Sequence, residues 1–341
     1  MSAVLDYATT LGRYLLSQQL VHLIVHVTNH CNFRCDHCFI DFSPKRDLKL
    51  SAYQALGRDA GKLFWLDIGG GEPFLRKDLA DIVGSFDAKV VQIPSNGALP
   101  DLMETQCRRM LDLGDREVVV SLSLDGLRDT HDRVRKHPGS YDQVWNTFER
   151  LKKIDGLYVK VLTVLHNENV GEILDLMREV KLHQPDHHSV ILVRGETMRD
   201  NIKLPPVEEL RKLGREIFAI QESYDYGRGG LYERILRNFH RFVWKNSLRT
   251  IEEQRQVIPC LAGTAHMVVM GDGRVSSCEM LEPVGDLKFQ SWEEIKDSAA
   301  FKQQVADIKA GKCYCTHNCA MMDSIFFNPR NVAKLVHQSV D

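Results

Sequence analysis

Six short apolar runs, at residues 22–27, 64–68, 89–93, 117–122, 158–164 and 189–193, recur before residue 200, and each stops at a turn or polar residue. Between them lie stretches with helical spacing, at 78–86, 102–113, 141–154 and 170–182. Strands that alternate with helices need cover on both faces, which a parallel α/β sheet provides. Right-handed crossovers wind such a chain into an open sheet or a partial barrel. In either, functional groups gather at the C-terminal ends of the strands.

The pattern then changes. Residues 201–255 read as helical and charged, with the glycine-rich stretch 227–230 as a break. Two further short strands are expected at 266–270 and 274–277, joined by the hairpin turn Gly271-Asp272-Gly273. Residues 1–20 read as a short amphipathic helix carrying Leu5, Leu11, Leu15 and Leu16. The expected organisation is a helix at 1–20, an α/β unit at 21–200, a helical connection at 201–255 and a small α+β unit with a tail at 256–341.

Composition narrows the class. A formal charge of -2 gives no basic surface for nucleic acid. No apolar run approaches the ~20 residues of a membrane span, and the N-terminus lacks the pattern of a signal peptide. A cytoplasmic protein with neither nucleic acid nor membrane as partner is expected. Nine cysteines are many for a reducing compartment, where clustered thiols point to metal or catalysis. Three stand at 31, 35 and 38, and five at 260, 278, 313, 315 and 319. Cys107 stands apart and reads as a buried structural thiol.

The first set, Cys31-x-x-x-Cys35-x-x-Cys38, follows the first strand directly. Three thiolates on one loop can hold a cubane iron–sulfur cluster and leave one iron open to an outside ligand. On spacing alone, a zinc ion on the three cysteines with His37 or His30 is the rival. The motifs after the later strands separate the two. Gly69-Gly70-Gly71-Glu72-Pro73 follows the second strand and Pro94-Ser95-Asn96-Gly97 the third. Ser121, Ser123 and Asp125 close the fourth, with Arg135 downstream.

In this order the motifs resemble those of radical S-adenosylmethionine (SAM) enzymes, over residues 22–195. The resemblance implies a partial (β/α)6 TIM-like barrel with a [4Fe–4S] cluster on Cys31, Cys35 and Cys38. It implies SAM on the open iron, bound by Gly70, Gly71, Glu72, Pro73, Ser95, Asn96, Ser123, Asp125, Arg135 and the backbone at Val193. Arginine suits the SAM carboxylate because its fork grips carboxylates at two points.

The second set resembles the SPASM/twitch region of the same family, where a small C-terminal α+β domain binds auxiliary clusters. The match is partial, because the chain has Cys313-x-Cys315 and no cysteine after Cys319. Five cysteines suffice for one auxiliary [4Fe–4S] cluster. Cys260 and Cys278 are expected ligands, and the choice among Cys313, Cys315 and Cys319 is open. Zinc, with His317 as a further ligand, is the alternative.

The expected activity is reductive cleavage of SAM to a 5′-deoxyadenosyl radical that abstracts hydrogen. The net result would be oxidation or dehydrogenation of a small molecule, assisted by the auxiliary cluster. Modification of a peptide or protein is the enzymatic alternative, and a non-enzymatic iron–sulfur protein the other. An external one-electron reductant such as flavodoxin or ferredoxin is implied. His166 and Glu196, at strand ends, are candidates for a base, and no catalytic residue is assigned.

Overall fold

A computed structural model describes residues 2–43, 45–226 and 230–337. Of the glycine-rich break, residues 227–229 lie outside the described residues, as do 338–341 of the tail. After the helix α1 (Ser2–Ser17) come β1 (His22–Thr28), α2 (Leu50–Ala60), β2 (Lys62–Gly70), α3 (Leu79–Gly84), β3 (Asp87–Ser95), α4 (Pro100–Leu111) and β4 (Glu117–Ser123). Two helices, α5 (Arg128–Arg135) and α6 (Ser140–Leu151), lead to β5 (Leu157–Leu165), α7 (Ile173–Leu182) and β6 (His187–Leu192). The six expected strands are all present, longer by a residue or two at most ends. The fold is the partial barrel of parallel strands with helices outside.

The burial pattern explains the wrap. Along β5, buried Leu157, Val159, Val161, Thr163 and Leu165 alternate with half-buried residues that line the lumen. The four apolar members of the buried set, Leu157, Val159, Val161 and Leu165, join one continuous core with Val144, Phe148, Leu151, Leu176 and Val180 from the outer helices. The lumen face is polar, with His22, His26, Asp67, Gln92, Ser121 and Lys160 on successive strands.

The connection consists of α8 (Val207–Glu222) and α9 (Gly230–Glu253). The chain then forms β7 (His266–Val269), β8 (Arg274–Ser276) and β9 (Gly285–Asp286), followed by α10 (Trp292–Asp297), α11 (Ala299–Lys309), α12 (Asn318–Phe326) and α13 (Pro329–His337). The hairpin β7–β8 stands where its turn residues placed it. Its docking was not foreseen: β7 pairs in parallel with β1, His22 opposite His266 and Val25 opposite Val269. The sheet therefore runs β6-β5-β4-β3-β2-β1-β7-β8-β9, nine strands in all, and β1 is interior on both edges.

Leu23, on β1, is fully buried in the main core. Leu23→Ala is expected to cost about 2–5 kcal/mol, read as a lower urea midpoint at unchanged slope.

Candidate functional site

At the C-terminal end of β1 the backbone turns into the loop of the first three cysteines. Thr28 O accepts from Gly71 N–H at 2.8 Å and His30 O from Glu72 N–H at 2.9 Å, so this loop lies directly on the end of β2. A Cβ on Gly71 would stand 2.1 Å from His30 O, and Gly70 has φ +108° beside Thr28 O. Only glycine allows that approach. Glu72 is buried and accepts from Phe74 N–H (3.2 Å), Ser95 Oγ–H (2.9 Å) and Asn96 N–H (2.8 Å). Burial pushes its carboxyl up to about 7 against these three donors. Asn96 in turn points Nδ2 at Asn32 Oδ1, 2.8 Å, and at Cys31 Sγ, 3.9 Å. The glycine, Ser-Asn and cysteine motifs thus meet at one place.

Cys35 lies within electrostatic range of both Cys31 and Cys38, and burial pushes its thiol up to about 12. Beneath it sits a charge pair. Arg135, 8% exposed, sends Nη1 to Cys35 Sγ at 3.7 Å and Nη2 to Asp125 Oδ2 at 2.5 Å. Asp125 is wholly buried, accepts from Val164 N–H at 2.8 Å and faces His37 Nε2 at 3.3 Å. Burial alone would raise its carboxyl, but Arg135, His37 and His131 outweigh that and hold it at about 2. Ser123 is buried nearby in chain order, and Val193 donates its N–H to Leu165 O at 3.0 Å. His166 is fully buried and stacks on His37 with ring centroids 5.5 Å apart, whereas Glu196 is exposed.

The second set divides. Cys260, Cys313 and Cys315 line one small cavity with Gln256, Met321 and Ser324. Cys278 lies within electrostatic range of Cys260 and Cys315. Gln256 ties the segments together, accepting from Cys260 N–H at 3.3 Å and donating to Cys313 O at 3.0 Å. Cys319 stands apart. Its thiol donates to Asp67 Oδ2 at 3.3 Å, and its charged neighbours are Asp67, Glu279 and Arg194 rather than a cysteine.

Among the described residues, His22, His266 and Asp323 are the one group of three or more His, Cys, Asp or Glu donor atoms lying within 4.8 Å of one another. A zinc ion with Zn–S bonds of about 2.3 Å would gather its sulfurs more tightly than that. Neither cysteine set is drawn together so tightly among the described residues, and thiols are the usual ligands of the larger iron–sulfur clusters. The buried thiols would bind as thiolates, losing their protons to a positively charged metal.

Between the two sets lies a polar group that motif reading missed. Glu279, next to Cys278, accepts from His26 Nε2 at 2.7 Å and His317 Nε2 at 2.6 Å, and pairs with Arg194 at 3.3 Å. Because His317 Nδ1 accepts from Ala320 N–H, its ring proton sits on Nε2 and is donated to Glu279. Burial would raise the Glu279 carboxyl, but these partners hold it well below the ordinary range. Arg194 also stacks on Phe39, its guanidinium carbon 5.0 Å from the ring centroid. One carboxylate so joins β1, the end of β6, the Cys278 loop and the start of α12. Its only trace in the sequence is a charged residue beside a cysteine.

Comparison with known proteins agrees with this geometry. Residues 25–180 match the model of the Radical SAM superfamily. The subtilosin biosynthesis protein AlbA of Bacillus subtilis is 24% identical over 302 residues, 82% of this chain and 60% of that protein. The chain thus spans less than two thirds of AlbA. A GTP 3′,8-cyclase of Rhizobium etli is 28% identical over 271 residues, 73% of this chain and 75% of that protein. A solved structure of anSMEcpe with bound AdoMet and the Cp18Cys peptide superposes with TM-score 0.60 at 17% identity, covering 92% of this chain and 98% of that one. Over residues 25–180 the chain is thus similar to the radical SAM superfamily, whose enzymes use a [4Fe–4S] cluster and SAM. No described helix is long and apolar enough to cross a membrane.

Asp125→Asn would leave the Arg135 guanidinium buried opposite a neutral group, at a cost of about 3–5 kcal/mol near neutral pH. The wild-type carboxylate's contribution is complete above the unfolded-chain value of about 3.9 and is lost as pH falls through the folded value of about 2. The gap between wild type and variant should therefore close across that window, measured by urea unfolding of the cluster-free chains.

Proposed function

We propose that this chain is a radical SAM oxidase or dehydrogenase of a small molecule, with one auxiliary cluster. The observation that carries it is the convergence of four C-terminal cysteines beside the Glu279–Arg194 group that leads to the first cysteine loop. Cys31, Cys35 and Cys38 hold the SAM cluster, and Cys260, Cys278, Cys313 and Cys315 the auxiliary one. When bound, the first cluster with SAM supplies a hydrogen-abstracting 5′-deoxyadenosyl radical, and the second supplies an electron acceptor.

The chain's own residues position and shield. Gly70 and Gly71 open the approach to the SAM amino end, with Pro73 turning the chain and Glu72 holding the Ser95-Asn96 turn against it. Asp125 fixes Arg135 so that one guanidinium edge remains toward the cysteine loop, where Ser123 would share the carboxylate. The backbone at Val193 would contact the adenine. His26, Glu279 and Arg194 line the mouth where substrate would sit, with the ionised Glu279 carboxylate holding His26, His317 and Arg194 in place there. An external one-electron reductant such as flavodoxin or ferredoxin would supply the SAM cluster.

Peptide modification is the second reading. It is favoured by the likeness to AlbA, a bacteriocin biosynthesis protein, and to a structure solved with a peptide.

Iron and sulfide counts on anaerobically reconstituted protein test the cluster assignment. With Cys31, Cys35 and Cys38 all changed to Ala, about four irons should remain and deoxyadenosine formation should vanish. Cys315→Ala should lose the second cluster, while Cys319→Ser should keep wild-type iron. Loss of iron in Cys319→Ser equal to that in Cys315→Ala would sink the ligand assignment. Wild type reduced with dithionite should release deoxyadenosine from SAM, faster in the presence of substrate. Stimulation by a low-molecular-weight extract supports oxidation of a small molecule, and stimulation by peptides alone supports the second reading.

A further inference from the structure

Below the reaction chamber, at the N-terminal end of the barrel strands, lies a second group of ligating side chains that the proposed activity does not use. The parallel register of β1 and β7 sets His22 directly opposite His266, so the two imidazoles stand side by side on the lumen face. From α12, Asp323 reaches between them. Its Oδ2 lies 2.9 Å from His22 Nδ1 and 2.7 Å from His266 Nδ1, and all three residues are wholly buried.

Hydrogen bonds close this centre only in part. With both rings donating from Nδ1 to Oδ2, the second carboxylate oxygen, Asp323 Oδ1, has no partner although buried. An unmet buried acceptor is costly. Beyond His22, Asp67 Oδ2 lies 3.3 Å from Nε2. A histidine that binds metal through one nitrogen usually donates the other N–H to a carboxylate, which fixes its tautomer. Asp67 is itself held, accepting from Cys319 Sγ at 3.3 Å and Gln92 Nε2 at 3.4 Å.

We propose that His22 Nδ1, His266 Nδ1 and the Asp323 carboxylate bind one zinc ion, with Asp67 as the outer carboxylate. Two nitrogens and two carboxylate oxygens complete four-coordination, the usual number for a closed structural zinc site. The charges also balance, since a dication meets the two buried carboxylates of Asp323 and Asp67. The ion would pin α12, and with it the segment bearing Cys315 and His317, to the first strand of the barrel. The site shares no ligand with the seven cysteines proposed to hold the two clusters.

Element analysis of the full-length protein, purified without oxygen, is the test. About one zinc per chain is expected beside the iron. Asp323→Asn keeps the side-chain volume and should lower zinc several-fold with iron unchanged, and His266→Ala should do the same. Cys319→Ser should retain zinc. X-ray absorption at the zinc edge of the wild type needs no variant to fold. Nitrogen and oxygen scatterers at about 2.0–2.2 Å support the site, whereas sulfur at about 2.3 Å would put the zinc on cysteines and overturn it. Wild type free of zinc after growth with zinc supplied, or zinc unchanged in Asp323→Asn, also overturns it.

Discussion

The parallel pairing of β1 on both its edges is the constraint on which the rest depends. Pairing with β2 brings the Gly69–Glu72 turn under the first cysteine loop, because parallel strands in register end on the same side of the sheet. Pairing with β7 carries the hairpin to the same end. There Gly271 packs so close to Thr28 that a Cβ would stand 3.0 Å from the Thr28 Cα, and its carbonyl accepts from Leu48 N–H at 2.8 Å. One strand therefore sets the distance between the two cysteine sets. A slip of one residue would turn His22 and His26 out of the lumen and separate Glu279 from its partner on β1.

Charge inside the barrel follows the same economy. Three buried carboxylates meet an opposite charge: Asp125 with Arg135, Glu279 with Arg194, Asp323 with His22. For His22, burial would lower the imidazole's pKa, but Asp323 and Asp67 reverse this and hold it at about 10 in the metal-free chain. The same two carboxylates would favour a dication in place of that charge. Buried pairs give little net stability against an apolar replacement, yet losing one partner is costly. Their value here is positional, since each links two or more segments distant in sequence. Arg135 on α5 is fixed to the end of β4, and Glu279 joins four segments at once.

The strands, most helices and the hairpin turn were legible because each is written locally. Apolar runs with period two or near-helical spacing, closed by Gly, Pro or Asp, need no distant partner to be read. The first cysteine loop and its glycine turn were legible for a similar reason, since each motif follows its own strand. The β1–β7 pairing was not, because β-register between segments some 240 residues apart leaves no mark in either one. The Glu279 group was missed on the same ground. His26, Arg194, Glu279 and His317 are ordinary residues in sequence and become a site only through the fold. Arg135 in isolation reads as a surface residue, and only its position in the motif order pointed inward.

The three late cysteines show how local geometry bears on a choice that spacing leaves open. Cys313 and Cys315 precede α12 in an irregular segment, and both turn to the cavity shared with Cys260. Cys319 lies one residue inside α12, four before Asp323, so the helix puts the two on one face. That face looks at β1 and β2, where Asp323 meets His22 and Cys319 meets Asp67. His317 caps the helix between these regions and turns its ring to Glu279. The start of α12 thus divides the cysteines by direction, two toward the auxiliary pocket and one toward the barrel lumen. Cys260, Cys313 and Cys315 line the C-terminal pocket and Cys278 lies within electrostatic range of two of them, which is why the proposed cubane is given these four and not Cys319.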